Sequence, residues 1–149
     1  MYQRNTSPWK SYRQVALQTA PPGQLILMLY DGALLSLERA LLGFECTDPG
    51  ERNTMIHNNL QRGLDIIREL NACLNLEAGG ELACTLRDLY LYFESRLLQS
   101  NLKKHRSGLD EVLVHLTELR NAWAKMLAKE GQPVNPENEV WVNPDMRAA

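Results

Sequence analysis

Along the 149-residue chain, apolar positions almost never alternate with polar ones. In four long stretches they return every three to four residues instead. That spacing lines one face of an α-helix, not a half-buried strand. The first stretch runs from about 22 to 45, after Pro21-Pro22, and stops before Asp48-Pro49-Gly50, a strong turn signal. The second, at 51–74, repeats Ile56, Leu60, Gly63, Leu64, Ile67, Leu70 and Leu74. Gly79-Gly80 separates it from a third at 81–104, and Ser107-Gly108 opens a fourth at 107–130. Short connections between long helices imply antiparallel neighbours. The expected fold is all-α: an antiparallel up-down four-helix bundle with a short extra N-terminal helix or arm at 1–18, the whole forming one domain over 1–129. From 131 an extended tail carries Pro133, Pro136 and Pro144, which exclude regular helix. Its compact triplet Val140-Trp141-Val142 is expected to dock Trp141 on the bundle.

The four helices are not equally one-sided. In the fourth, Leu109, Val112, Leu113, Leu116, Leu119, Trp123 and Met126 or Leu127 make one stripe, opposite Asp110, Glu111, Glu118 and Lys125. It has one buried side and one wet side. The third carries a core stripe of Leu82, Leu86, Leu89, Phe93 and Leu97, and a second stripe of Cys84, Leu91, Leu98 and Leu102 on the opposite side. In the first, an arc from Leu25, Leu29, Ala33 and Ala40 continues through Leu37, Tyr30, Leu41, Leu34 and Leu27. That arc covers about 200°, twice the roughly 100° of a single core face. The surplus has two readings. Either these are central helices covered by the N-terminal segment, or the surplus is a groove for a partner's amphipathic helix.

Composition narrows the function classes. A net charge of −2 gives the whole molecule no pull toward nucleic acid or an anionic membrane. The basic run Lys103, Lys104, His105, Arg106 falls where a helix ends, and there it complements the helix dipole. The three cysteines, Cys46, Cys73 and Cys84, are odd in number and widely spaced, which speaks for a reducing compartment and small apolar packing roles. No apolar run follows the N-terminal charges and none approaches the roughly 20 residues of a membrane span, so a cytoplasmic location is expected. None of His57, His105 or His115 follows a glutamate at the Glu-x-x-His spacing of di-iron bundles, and no phosphate-binding glycine motif or nucleophile elbow occurs. The expectation is a binding protein with no catalytic site, cofactor or metal.

Specific segments resemble a known family. They are Tyr12, Thr19-Ala20-Pro21-Pro22-Gly23-Gln24-Leu25, Leu27-Met28-Leu29-Tyr30-Asp31-Gly32-Ala33 and Ile66-Ile67-Arg68-Glu69-Leu70. Gly79-Gly80-Glu81-Leu82-Ala83, Leu89-Tyr90 with Tyr92, Arg96-Leu97, Asn101 and Leu119-Arg120-Asn121-Ala122-Trp123 continue the match. In this order they resemble the flagellar secretion chaperones of FliS type over about 12–125. The resemblance implies a helical bundle that clamps the C-terminal segment of flagellin, prevents premature polymerisation and delivers it to the flagellar export gate. Joined to the surplus apolar surface, it makes Tyr12, Leu27, Tyr30, Leu34, Leu41, Cys84, Leu91, Leu98 and Leu102 the candidate flagellin groove, with Tyr12 in an arm that covers part of the arc before binding. Gly32 is expected to permit close helix packing, Asp31 to solvate the outer face and Trp123 to be structural. Where the family has a hydroxyl helix cap this chain has Pro21. The alternative from another class is an adaptor bundle whose extra apolar faces form a homo-oligomer interface; a metal-dependent oxidase lacks the ligands.

Overall fold

The computed structural model describes residues 22–130. The arm with Tyr12, the cap position Pro21 and the tail with Trp141 lie outside the described residues. Four helices follow one another: α1 Pro22–Gly43, α2 Pro49–Ala72, α3 Leu76–Lys103 and α4 Ser107–Glu130. Helix α1 opens on a proline, whose missing N–H would have been unpaired in a first turn anyway. The Asp48-Pro49-Gly50 segment starts a helix as well as ending a turn. Asp48 caps α2 by accepting from the Glu51 N–H at 2.9 Å, and Pro49 takes the first helical position. This sets the start of α2 two residues earlier than the turn signal alone suggests. Asn75 caps α3 by accepting from the Ala78 N–H at 3.0 Å. Five residues after this cap, the helix is broken at Gly80 (φ 58°, ψ −137°), a conformation open to glycine. The double glycine therefore interrupts α3 near its start, and Cys73 to Asn75 make the true boundary with α2.

Contacts between residue pairs give the topology. Gly63 of α2 approaches Leu37 of α1, and Gly43 approaches Ile56. Arg68 meets Glu94, and His57 meets Asn101, across α2 and α3. Arg96 meets Glu111, and Ser100 meets Leu109, across α3 and α4. Trp123 meets Gly23, and Arg120 meets Asp31, across α4 and α1. In every pair the residue numbers rise on one helix as they fall on the other. The helices thus form an up-down-up-down ring in which each packs on its two sequence neighbours, with α1 closing on α4.

The core gathers the inward stripes. From α1 come Leu25, Ile26, Leu29, Tyr30, Ala33, Leu34, Leu37 and Ala40, and from α2 Ile56, Leu60, Leu64, Ile66, Ile67 and Leu70. From α4 come Leu109, Val112, Leu116, Trp123 and Leu127, with Leu113, Leu119 and Met126 partly buried at the margin. The inward face of α3 is Ala83, Leu86, Tyr90, Phe93, Leu97 and Ser100. It is turned from the stripe expected above: Leu82 is 56% exposed and Leu89 is only partly buried. Tyr90 takes the central place because its hydroxyl has a partner inside. The Tyr30 and Tyr90 hydroxyls are 2.6 Å apart, a buried hydrogen bond between diagonal helices α1 and α3. Burial raises both phenol pKa values, so the pair is neutral.

Two glycines set helix separations. A Cβ on Gly63 would lie 2.5 Å from Leu37 Cδ2, in a fully buried setting, and one on Gly108 would lie 2.6 Å from the Arg96 carbonyl oxygen. Gly32, the position expected to do this, has only ordinary contact at 3.4 Å from Ile66 Cδ1. Asp31 does more than face water: Arg120 Nε donates to it at 2.7 Å. At the end of α3, Lys104 takes a left-handed backbone (φ 54°, ψ 45°) that a non-glycine residue adopts at a cost of about 1–2 kcal/mol.

Removing one hydroxyl of the tyrosine pair leaves the other buried without its partner. Tyr30→Phe and Tyr90→Phe should each lower stability by about 1–3 kcal/mol, and the double variant by clearly less than their sum. Urea unfolding followed by circular dichroism measures all three; strict additivity would mean that the two hydroxyls do not depend on each other.

Candidate functional site

Helix α3 turns by about 100° per residue, so fixing Tyr90 inward fixes what faces out. Leu91, Leu98 and Leu102 emerge on one side at 50%, 45% and 84% exposure. Together with Glu94, Ser95 and Gln99 they line a shallow open depression of about 390 Å³ along the helix. Cys84, seven residues before Leu91, is half-buried. The stripe runs on the side of α3 that leans toward α2, where Arg68 Nε donates to Glu94 at 2.9 Å.

The other groove candidates lie elsewhere in this conformation. Tyr30 and Leu34 face the interior, Tyr30 held there by the hydroxyl pair. Leu27 and Leu41 sit at the core margin, partly buried against it. Tyr12 is outside the described residues. The wide arc of α1 is thus largely taken up by contacts with its two neighbours. Its outward apolar residues are Leu35 and Leu42, 49% and 60% exposed. Sequence reasoning did not single these out, although their seven-residue spacing is the same signal that marked Leu91 and Leu98. Because α1 and α3 are diagonal in the ring, these two outward faces lie on opposite sides of the bundle.

The α3 stripe is held in orientation by polar contacts on its flanks. Glu111 of α4 accepts from Arg96 Nε at 2.6 Å and from the Tyr92 hydroxyl at 2.7 Å. The Arg96 bond first, and the Tyr92 bond second, hold the Glu111 carboxyl below its usual range; the same contact raises the Tyr92 phenol. Ser100 Oγ accepts the Leu109 N–H at 3.0 Å, satisfying a donor in the first turn of α4. His115 stacks on Phe93 and lies 3.1 Å from Glu118, while Glu111 is taken by Arg96.

Such a surface can bury apolar side chains and offers little for covalent chemistry. Among the described residues no group of three or more His, Cys, Asp or Glu side chains is placed to hold a metal ion. Nor is any described helix long and apolar enough to cross a membrane.

Comparison with known proteins fits this geometry. A family described as Flagellar protein FliS matches residues 5–130. The flagellar secretion chaperone FliS of Bacillus subtilis is 36% identical over 124 residues, spanning 83% of this chain and 89% of that protein. FliS of Salmonella typhimurium is 39% identical over 127 residues, 80% of this chain and 90% of its own length. FliSB of Pseudomonas aeruginosa is 35% identical over 118 residues, 76% and 90% respectively.

The depressed Glu111 carboxyl sets a sign for acid behaviour. Its contribution to stability is fully present above the pKa it has in the unfolded chain, and is lost as pH falls through the lower folded value. Glu111→Gln should therefore be less stable than the wild type near neutral pH, with the gap closing once the wild-type carboxylate is protonated. Urea midpoints measured from neutral pH down through the carboxylate range decide this; a gap that persists unchanged in acid would assign the loss to packing.

Proposed function

This chain belongs to the FliS family of flagellar proteins, and we propose that it is a flagellar secretion chaperone, not an enzyme, that holds the C-terminal segment of flagellin against its outward apolar faces. The observation that carries the reading is the leucine stripe of α3, 45–84% exposed on a helix whose opposite face is already full. A soluble bundle gains nothing from such a stripe unless something covers it. An amphipathic helix, with apolar residues at helical spacing, is the shape that lies along it.

Energetics say how the partner must bind. The exposed parts of Leu91, Leu98 and Leu102 amount to about two leucine side chains, worth about 3–5 kcal/mol gross when covered. Association itself costs about 4–15 kcal/mol. The stripe therefore anchors a partner but does not hold one alone. The bound segment runs on past α3, and Leu35 and Leu42 on the far side of the bundle are the further apolar surface available to it. A long segment wrapped around the bundle also hides the surface with which flagellin would polymerise. In this reading the wrapped complex is what is presented to the export gate.

The decisive experiment pairs Leu91→Asp with Leu98→Asp. Both side chains are half-exposed, so the double variant should keep the wild-type helical spectrum and melting cooperativity. Binding of a flagellin C-terminal peptide, measured by calorimetry, should weaken about hundredfold or more, since two carboxylates would be buried against apolar partner residues. Wild-type affinity in a folded double variant would exclude the stripe. A wild-type chain that is already dimeric without flagellin, and that the double substitution renders monomeric, would favour a self-association surface instead.

A further inference from the structure

The end of the bundle where α3 turns into α4 gathers positive charge from separate parts of the chain. Phe44 beyond the end of α1, Arg52 in the first turns of α2, and Lys104, His105, Arg106 and Ser107 of the α3–α4 turn line one open depression of about 460 Å³. The run Lys103 to Arg106 reads in sequence as a helix-end complement to the dipole, and Lys103 in the last turn of α3 does that. The dipole has no need of Arg52, which belongs to the beginning of another helix.

Arg52 lies with its guanidinium carbon 5.2 Å from the Phe44 ring centroid, and among the described residues it pairs with no carboxylate. Lys104 Nζ donates to the Asn101 carbonyl and side-chain oxygens, both at 2.7 Å, and likewise pairs with no described carboxylate. Arg106 is partly neutralised by Asp110, at 3.1 Å. The repulsion is felt: burial and the nearby Arg52 charge together lower the Lys104 pKa. Lys104 also occupies the left-handed backbone that glycine would adopt without strain. A side chain that breaks a local backbone rule and sits beside a like charge is the kind of conflict that binding sites retain.

We infer that this basic end, with Arg52 and Lys104 as the principal contacts, is a docking site for an acidic peptide segment of a partner protein, separate from the apolar stripe. A guanidinium braced on a ring presents its planar fork to a carboxylate, and an ammonium beside it takes a second one. The charges around the site limit its occupant. Glu45, Asp48 and Glu51 stand near it in sequence, Asp110 pairs with Arg106, the Glu45 charge also acts on Arg106, and the whole chain carries −2. A long polyanion such as a nucleic acid would be repelled beyond the first contacts, whereas one or two carboxylates fit within them. Phe44 gives the apolar part of a peptide a place to rest.

The test uses the full chain and a capped octapeptide alternating Glu and Leu, with the Gln-and-Leu peptide, inorganic phosphate and a twelve-nucleotide single-stranded DNA as comparison probes. In amide NMR spectra at low salt, the Glu peptide should shift Phe44, Arg52 and Lys104 to Ser107, and the Gln peptide should not. Arg52→Gln combined with Lys104→Gly should weaken its binding about tenfold or more, as expected for loss of two charge-assisted contacts. Glycine suits the Lys104 backbone, so this variant should be at least as well folded, which circular dichroism checks. Leu91→Asp/Leu98→Asp should bind the peptide like the wild type, separating this site from the flagellin reading. The inference is overturned if the peptide shifts other residues, if the folded charge variant binds it equally well, or if phosphate or DNA occupies these residues and the peptide does not.

Discussion

The rotation of α3 about its own axis is fixed by one buried contact, and the exposed surface follows from it. The Tyr30 and Tyr90 hydroxyls satisfy each other across the bundle diagonal at 2.6 Å. Either hydroxyl, buried alone, would lose its water without compensation. With Tyr90 pointing inward, Phe93 and Leu97 follow into the core by helical periodicity. Leu91, Leu98 and Leu102, stepped about 80–120° away around the axis, have nowhere to go but out. A purely apolar residue at 90 would let the helix roll by a few tens of degrees and bury Leu82 and Leu89 in its place. The polar pair removes that freedom, which is the best-attested use of buried polar groups in helical bundles.

Around this axis the helix pairs are joined by different means. Between α1 and α2 the link is close approach, since Gly63 lets Leu37 and the Ala33 backbone come where a side chain would stand. At the α3–α4 corner Gly108 sits against the Arg96 carbonyl while Ser100 takes the Leu109 amide. The remaining sides carry exposed ion pairs, Arg68 with Glu94 and Arg120 with Asp31. Exposed pairs of this kind contribute little to stability. The bundle is thus tightest along α1 and α2 and leaves the α3 edge, where the apolar stripe lies, the more accessible.

How much of this was legible in the sequence depended on whether one residue type or several set the outcome. The all-α ring was legible because four amphipathic repeats with short connections have few other ways to pack. The α4 stripe and most of the α2 stripe were legible from periodicity, since each has one main apolar face; Ile66, also buried, lay outside the expected α2 repeat. The α3 face was not: counting apolar residues favours Leu82 and Leu89 over Ala83 and Tyr90, and only the hydroxyl partner on α1, sixty residues away, reverses that. The sequence offers Gly32 for close packing without showing which neighbour stands opposite it, and the tight approach falls at Gly63 instead. Of the groove candidates, Leu91, Leu98 and Leu102 were recognisable as surplus because α3 already had a full stripe. Tyr30 and Leu34 belonged to an arc whose width reflected two helix neighbours. Arg52 could not have been joined to Lys104 by any local pattern.

A chaperone surface of this kind must reconcile two opposed requirements. It has to be apolar enough to capture a segment that would otherwise assemble, yet remain in solution when empty. A continuous apolar groove would satisfy the first and fail the second, because large exposed patches associate with whatever is near. Here the leucines of α3 are separated along the helix by Glu94, Ser95 and Gln99, and those of α1 are on the opposite side of the ring. In the proposed reading, a flexible segment reaches successive patches and accumulates buried area against its ordering entropy. Dividing the apolar surface around the bundle then favours, in the same reading, an unfolded, amphipathic client over a folded one.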